Sequence, residues 1–112
     1  MEQIIQEIRS LEERIFKLRS ELRKHKDGFI YLVCIRCYGS VSHQTYTNTF
    51  LVQEICDQYH GDNGIVDVYT TNPNPGIDTY GEVHIMSLEE LQNVSQKNIS
   101  MSEAIVNWIA RK

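Results

Sequence analysis

A regular heptad repeat of apolar residues near the start of the chain constrains its structure more than any other feature. Isoleucine and leucine recur at alternating steps of four and three residues, in the positions where coiled coils form their buried seam: Ile4, Ile8, Leu11, Ile15, Leu18 and Leu22. No glycine or proline interrupts this pattern, and the remaining positions are mostly good helix formers. The repeat therefore predicts one amphipathic helix that ends near Asp27 and Gly28.

A helix of this length is only marginally stable alone in water, so its apolar stripe requires a partner surface. The stripe could pack on the rest of the chain, as many amphipathic helices do, or it could pair with another copy of itself. The regular spacing favours self-association, and the flanking apolar residues Ile5 and Phe16 would suit a homodimer or a larger helical bundle. We predict that residues 1–27 form an oligomerisation helix and that residues 28–112 form a separate body.

The charges beside the seam indicate how two such helices run. In a parallel pair, two of the three flanking contacts would repel: Glu7 would meet Glu12 of the partner helix, and Arg14 would meet Arg19. In an antiparallel pair, Glu12 faces Arg19 and Arg14 faces Glu21, and both contacts attract. Each exposed ion pair stabilises the helix pair by only about 0.3 kcal/mol, but both contacts favour the antiparallel arrangement. An antiparallel arrangement is therefore expected.

The remaining sequence predicts an α+β (mixed α/β) fold. Residues 29–38 are almost continuously apolar between Gly28 and Gly39, which is typical of a central strand buried on both faces. A helical pattern follows at 48–60, and strand-like patterns follow at 65–71 and 79–86. We expect a β-α-β-β-α-α body with a three-stranded mixed sheet. The crossover rule predicts that its first two strands are parallel, and a hairpin adds the third strand antiparallel.

Two capping boxes predict the last two helices. Ser87 precedes Glu90 by three residues, and Ser100 precedes Glu103 by three, which is the spacing of reciprocal capping at a helix N-terminus. These boxes divide the C-terminal stretch into helices near 88–97 and 101–111.

Composition restricts the compartment and the class of partner. Acidic side chains outnumber basic ones by 15 to 11, and the excess lies in the body, so a nucleic acid is not the expected partner. The longest strongly apolar run, at 29–35, is far shorter than the roughly 20 residues of a membrane span. A charged N-terminus without a signal peptide and an odd number of cysteines predict a reducing, cytoplasmic location.

Three cysteines and a histidine have the residue types and spacing of a structural zinc site: Cys34, Cys37, Cys56 and His60. However, residues three apart in a regular strand face opposite sides, so Cys34 and Cys37 converge only if the strand bends. Buried free thiols that fill space in the core are the favoured interpretation, and zinc is the alternative. We therefore expect no cofactor.

The segment that follows the central strand is the best candidate for binding a small molecule. We expect residues 39–47 to form a polar loop before a helix N-terminus, a place where open α/β folds bind anions. A nucleotide or another anionic metabolite would contact its polar side chains: Ser40, Ser42, His43, Thr45 and Thr47. The segment has one glycine and no phosphate-binding fingerprint, so a solvated loop that caps the helix is the favoured alternative.

No constellation of nucleophile, base and acid indicates an enzyme. The heptad repeat instead favours a non-enzymatic homo-oligomer that presents an acidic α/β body to another protein. The alternative is a ligand-binding domain that uses residues 40–47, and a small enzyme at the same segment is less favoured still.

Overall fold

The structure, a computed structural model, describes residues 1–60 and 63–111. Within these residues the chain forms four helices and one mixed four-stranded sheet, so the α+β prediction is confirmed and the sheet has one strand more than predicted. The elements are α1 (Glu2–Lys24), β1 (Tyr31–Cys37), β2 (Ser40–Tyr46), α2 (Thr49–His60), β3 (Ile65–Thr70), β4 (Val83–Ile85), α3 (Leu88–Ser95) and α4 (Ile99–Ala110).

Strand β1 lies inside the sheet, as its apolar sequence predicts. The strand order is β2-β1-β3-β4, and β1 pairs antiparallel with both of its neighbours. Its first five residues are buried because helices cover both faces of the sheet. A strand with no polar face needs such cover on two sides.

The prediction of a polar loop at 39–47 is wrong, because this segment forms the edge strand β2. Tyr38 and Gly39 form a two-residue turn in which both residues have positive φ, 50° and 79°. This combination is the type I′ turn, whose twist matches that of an antiparallel hairpin. Cys37 therefore pairs with Ser40, and the two strands stay in register as far as Tyr31 and Tyr46.

The extra strand also changes the predicted strand directions. Since β2 reverses the chain, helix α2 connects β2 to β3, and these two strands run the same way on either side of β1. The crossover rule therefore applies to β2 and β3, and the predicted parallel pairing of β1 with β3 is wrong. The predicted antiparallel hairpin is also wrong. The last two strands are parallel, with Val68 opposite Val83, because the connection at 71–82 is long enough to carry the chain back.

That connection passes close to β3. The Thr79 hydroxyl donates to the Val66 carbonyl at 2.7 Å, and the Glu82 amide donates to Asp67 Oδ1 at 2.9 Å. A Cβ atom on Gly81 would lie 2.2 Å from the Val66 carbonyl oxygen, which is far inside van der Waals contact. Glycine at position 81 therefore permits the approach that brings β4 beside β3.

Two apolar clusters hold the helices on the sheet. Side chains alternate between its faces, so odd-numbered residues of β1 pack towards α2 and even-numbered residues pack towards α3 and α4. The α2 side buries Tyr31, Val33, Ile35, Val52, Cys56, Val66 and Val68. The other side buries Ile30, Leu32, Leu91, Met101 and Ile105.

The capping predictions for the last two helices have different outcomes. Ser87 accepts a hydrogen bond from the Glu90 amide at 3.2 Å and caps α3, as predicted. Helix α4 begins earlier than predicted, because Asn98 accepts from the Met101 amide at 3.2 Å and caps it in place of Ser100. Asparagine is among the strongest N-cap residues, which explains why the helix begins there.

Candidate functional site

The apolar stripe of α1 lies mostly in solvent. None of the described residues of α1 is buried, and the helix makes few contacts with the body. Ile4 and Leu11 are both 59% exposed, Ile8 and Ile15 are about half exposed, and Leu18 is 57% exposed. Only Leu22, next to the body, is half-buried. The structure therefore does not show the alternative in which this stripe packs on its own chain.

Hydrogen bonds to the backbone hold the base of α1 on the body. The Asn48 side-chain amide donates to the carbonyl oxygens of Leu22 and His25, at 3.0 and 3.1 Å. The Thr47 hydroxyl donates to the same His25 oxygen at 2.9 Å, and the Asp27 amide donates to the Thr47 carbonyl at 3.1 Å. The end of β2 and the start of α2 thus fix the point where α1 leaves the body.

A buried tyrosine reinforces this junction. The Tyr31 hydroxyl donates to the Asp27 carboxylate, which also accepts from the Phe29 amide at 3.1 Å. Asn72 donates to the same hydroxyl at 3.0 Å. Burial and the hydrogen bond to Asp27 raise the pKa of Tyr31 to about 12, so the hydroxyl keeps its proton and remains a donor. The linker between α1 and β1 is therefore fixed to the core.

The charges that flank the seam are exposed, and one of them has a partner in its own chain. Arg19 lies 3.9 Å from the Glu54 carboxylate on α2. Among the described residues, Glu12, Arg14 and Glu21 form no ion pair. These three side chains are therefore available to a second helix, whereas Arg19 would have to share its charge with Glu54.

The structure separates the five residues predicted to bind a ligand. Ser40 and Ser42 lie on the α2 face of the sheet, whereas His43 and Thr45 alternate to the face covered by α4. Thr45 and Thr47 contribute to a cavity of about 180 Å³ at the base of α1. Its other principal side chains are Lys26, Phe29, Trp108 and Arg111. Two of the five residues therefore come together, in a place that the loop prediction did not indicate.

His43 and Cys34 are neighbours across β1 and β2, and burial favours the uncharged form of each. His43 Nδ1 is buried and has no hydrogen-bond partner in the described part of the chain, and desolvation lowers the pKa of the imidazole. Burial, and then the Asp67 carboxylate, raise the pKa of the Cys34 thiol. Because the thiolate is the nucleophile, this thiol is not activated for covalent chemistry.

The predicted zinc ligands do not converge. Cys34 lies on the α3–α4 face of β1, whereas Cys56 is buried on α2 at the opposite face. Across residues 1–60 and 63–111, no three His, Cys, Asp or Glu side chains are placed to hold a metal ion together. Cys34 and Cys37 are also separated, because residues three apart in a regular strand face opposite sides of the sheet.

Comparison with protein-family models, curated proteins and solved structures gives no match to this chain. In the described ranges, no helix combines the length and the apolar character required to cross a bilayer.

Proposed function

We propose that this protein is a non-enzymatic, homo-oligomeric interaction module that assembles through α1 as an antiparallel coiled coil. The observation that carries the proposal is the exposed seam. Five of the six seam residues are about half or more exposed, and they lie along one face of a helix whose own chain does not cover them. Water contact with such a stripe is unfavourable, and pairing two stripes removes it.

The same antiparallel register pairs the apolar residues of the seam and the opposite charges beside it. The antiparallel alignment that pairs Arg14 with Glu21 of the partner also places Leu11 beside Leu22 of the partner and Ile15 beside Leu18. A two-fold axis repeats each contact, so one short segment of α1 supplies the whole central interface. The exposed charges of Arg14 and Glu21 support this arrangement.

In this assembly the body is the part presented to another protein. It carries nine acidic and four basic side chains, so a basic protein surface is the complementary partner. None of the three cysteines forms a disulfide with another described residue, which supports the proposal of a reducing, cytoplasmic location.

Light scattering coupled to size-exclusion chromatography tests the assembly. We expect the wild-type chain to elute with about 26 kDa or a higher multiple of 13.1 kDa. Ile15→Lys should convert it to the monomer, because the change places a charge at the centre of the seam. Glu13→Lys, which lies outside the seam, is the matched control and should remain assembled. A wild-type mass of 13.1 kDa at every concentration would contradict the proposal.

A further inference from the structure

The cavity at the base of α1 joins three parts of the fold. Lys26 and Phe29 come from the linker that follows α1, Thr45 comes from β2, and Trp108 and Arg111 come from the end of α4. Its surface is mostly apolar, with two aromatic rings, and a few polar groups lie among them. This composition is typical of a small-molecule site, where apolar walls supply burial and a few polar groups select the ligand.

The polar groups of the cavity favour a negative charge. Lys26 and Arg111 both line it, and neither forms an ion pair within the described residues. Asp27 is adjacent in sequence but does not line the cavity, because its carboxylate is directed towards the Phe29 amide and the Tyr31 hydroxyl. The C-terminus of α4 contributes about half a negative charge, which two full positive charges outweigh.

The size of the cavity limits the apolar part of the ligand. An apolar cavity of about 150 Å³ in another protein holds one benzene molecule. At about 180 Å³, this cavity has room for one aromatic ring or a short acyl chain. We propose that the cavity binds a free carboxylate attached to a single ring or a short acyl chain, with Lys26 and Arg111 as its charge partners.

The chain contains one tryptophan, Trp108, and it lines the cavity, so its fluorescence reports occupancy directly. The full chain should be titrated with phenylacetate and with octanoate to about 10 mM, since ligands with so few atoms bind with roughly millimolar affinity. Either acid should give a saturable change in Trp108 emission. Phenylacetamide, which has the same shape but no charge, should bind about tenfold more weakly, the loss expected for two exposed ion pairs.

Substitutions test the assigned charge partners. Lys26→Gln combined with Arg111→Gln should lower the affinity for phenylacetate about tenfold and abolish its advantage over the amide. Lys97→Gln removes an exposed positive charge elsewhere on the body and is the matched control. Thr45→Phe should fill the cavity and remove the response to both acids. Circular dichroism and thermal melting should show that every variant retains its fold.

Three outcomes would overturn the proposal. These are the absence of a saturable response to both acids, equal affinity for acid and amide, and an equal loss of affinity in Lys97→Gln and the double variant.

Repeating the titration in Ile15→Lys separates this site from the assembly, because no seam residue lines the cavity. Binding should persist in that variant whether or not the wild-type chain is an oligomer.

Discussion

The side-chain amide of Asn48 donates a hydrogen bond of 3.0 Å to the carbonyl oxygen of Leu22. Its other side-chain atom, Oδ1, accepts from the Leu51 amide at 3.0 Å, so the same side chain closes the end of α1 and begins α2. Asn48 is 4% exposed, which protects these bonds from water. One buried side-chain amide therefore supplies two of the hydrogen bonds that fix where α1 leaves the body.

Replacement of this amide by a carboxylate should destabilise the junction. Asn48→Asp retains the acceptor for Leu51 but loses both donors and places a negative oxygen beside two carbonyl oxygens. We expect the free energy of unfolding to fall by about 2 kcal/mol or more in urea titrations. Asn93→Asp, at an exposed position of α3, should change it by less than about 0.5 kcal/mol. Equal effects of the two changes would show that the Asn48 amide does not stabilise the junction.

Arg14→Glu tests whether the helices run antiparallel. In the antiparallel register the new glutamate faces Glu21 of the partner, whereas in a parallel pair it would face Arg19 and relieve a repulsion. Two symmetric contacts should weaken association roughly fivefold in sedimentation equilibrium at low salt. Adding Glu21→Lys should restore it. Tighter association of Arg14→Glu alone would show that the helices are parallel.

Glu12 and Arg19 are a less suitable pair for this test. Arg19 already lies 3.9 Å from Glu54 of its own chain. A substitution at position 19 would therefore change an intrachain contact together with the contact between helices, and the two effects could not be separated.

Tyr38 is in a conformation that its side chain disfavours. It has a φ of 50° and is 86% exposed, so the ring gains little from packing while the backbone is strained. Tyr38→Asn should raise the free energy of unfolding by about 0.5–1 kcal/mol in thermal or urea denaturation, because asparagine adopts this conformation readily. Gly39→Ala, at a φ of 79°, should have the opposite effect. A destabilised Tyr38→Asn would show that the ring makes a favourable contact.

The His43 imidazole should make stability depend on pH. Burial lowers its pKa in the folded state below the ordinary value of 6.5, so the unfolded chain binds the proton more readily. Its contribution is therefore complete above about pH 6.5 and is lost as the pH falls from 6.5 towards the lower, folded-state value. Urea titrations between pH 7.5 and about 5 should show a smaller loss of stability in His43→Gln than in wild type. Identical pH profiles for the two proteins would contradict this assignment.

Local periodicity was sufficient to predict the elements with strong patterns. Six regularly spaced residues define α1, and the continuous apolar run of β1 required cover on both faces. Strand β2 was not predicted, because an edge strand tolerates the polar sequence SVSHQTY and because tyrosine is an unusual first residue for a type I′ turn. Without β2, the directions of the neighbouring strands could not be derived correctly.

The candidate sites also include features that local sequence patterns predict and features that only the folded chain shows. The apolar stripe of α1 follows from the spacing alone, whereas its exposure is visible only in the structure. The predicted group of ligand residues assumes a loop, and the two-residue alternation of a strand separates Ser42 from His43. Asn48 precedes a helical pattern, which is a recognisable N-cap signal. Its bonds to Leu22 and His25 span more than 20 residues of sequence and become visible only in the folded chain.

Helix α1 also sets the distance between binding surfaces. With 23 residues at 1.5 Å each it is about 34 Å long, and it projects from a body that covers little of it. In the proposed antiparallel register, which places Ile15 beside Leu18 of the partner, Lys24 lies opposite position 9 of the partner helix. The two points where α1 meets its body are therefore about 22 Å apart along the axis. A filament or array whose repeat matches the resulting spacing of the bodies would engage both at once, and the second contact would form at a high effective concentration. Insertion of one heptad between the centre of the seam and the body would lengthen each helix by about 10 Å and change the spacing between the two bodies. The avidity should then be lost, while the affinity of each body stays unchanged.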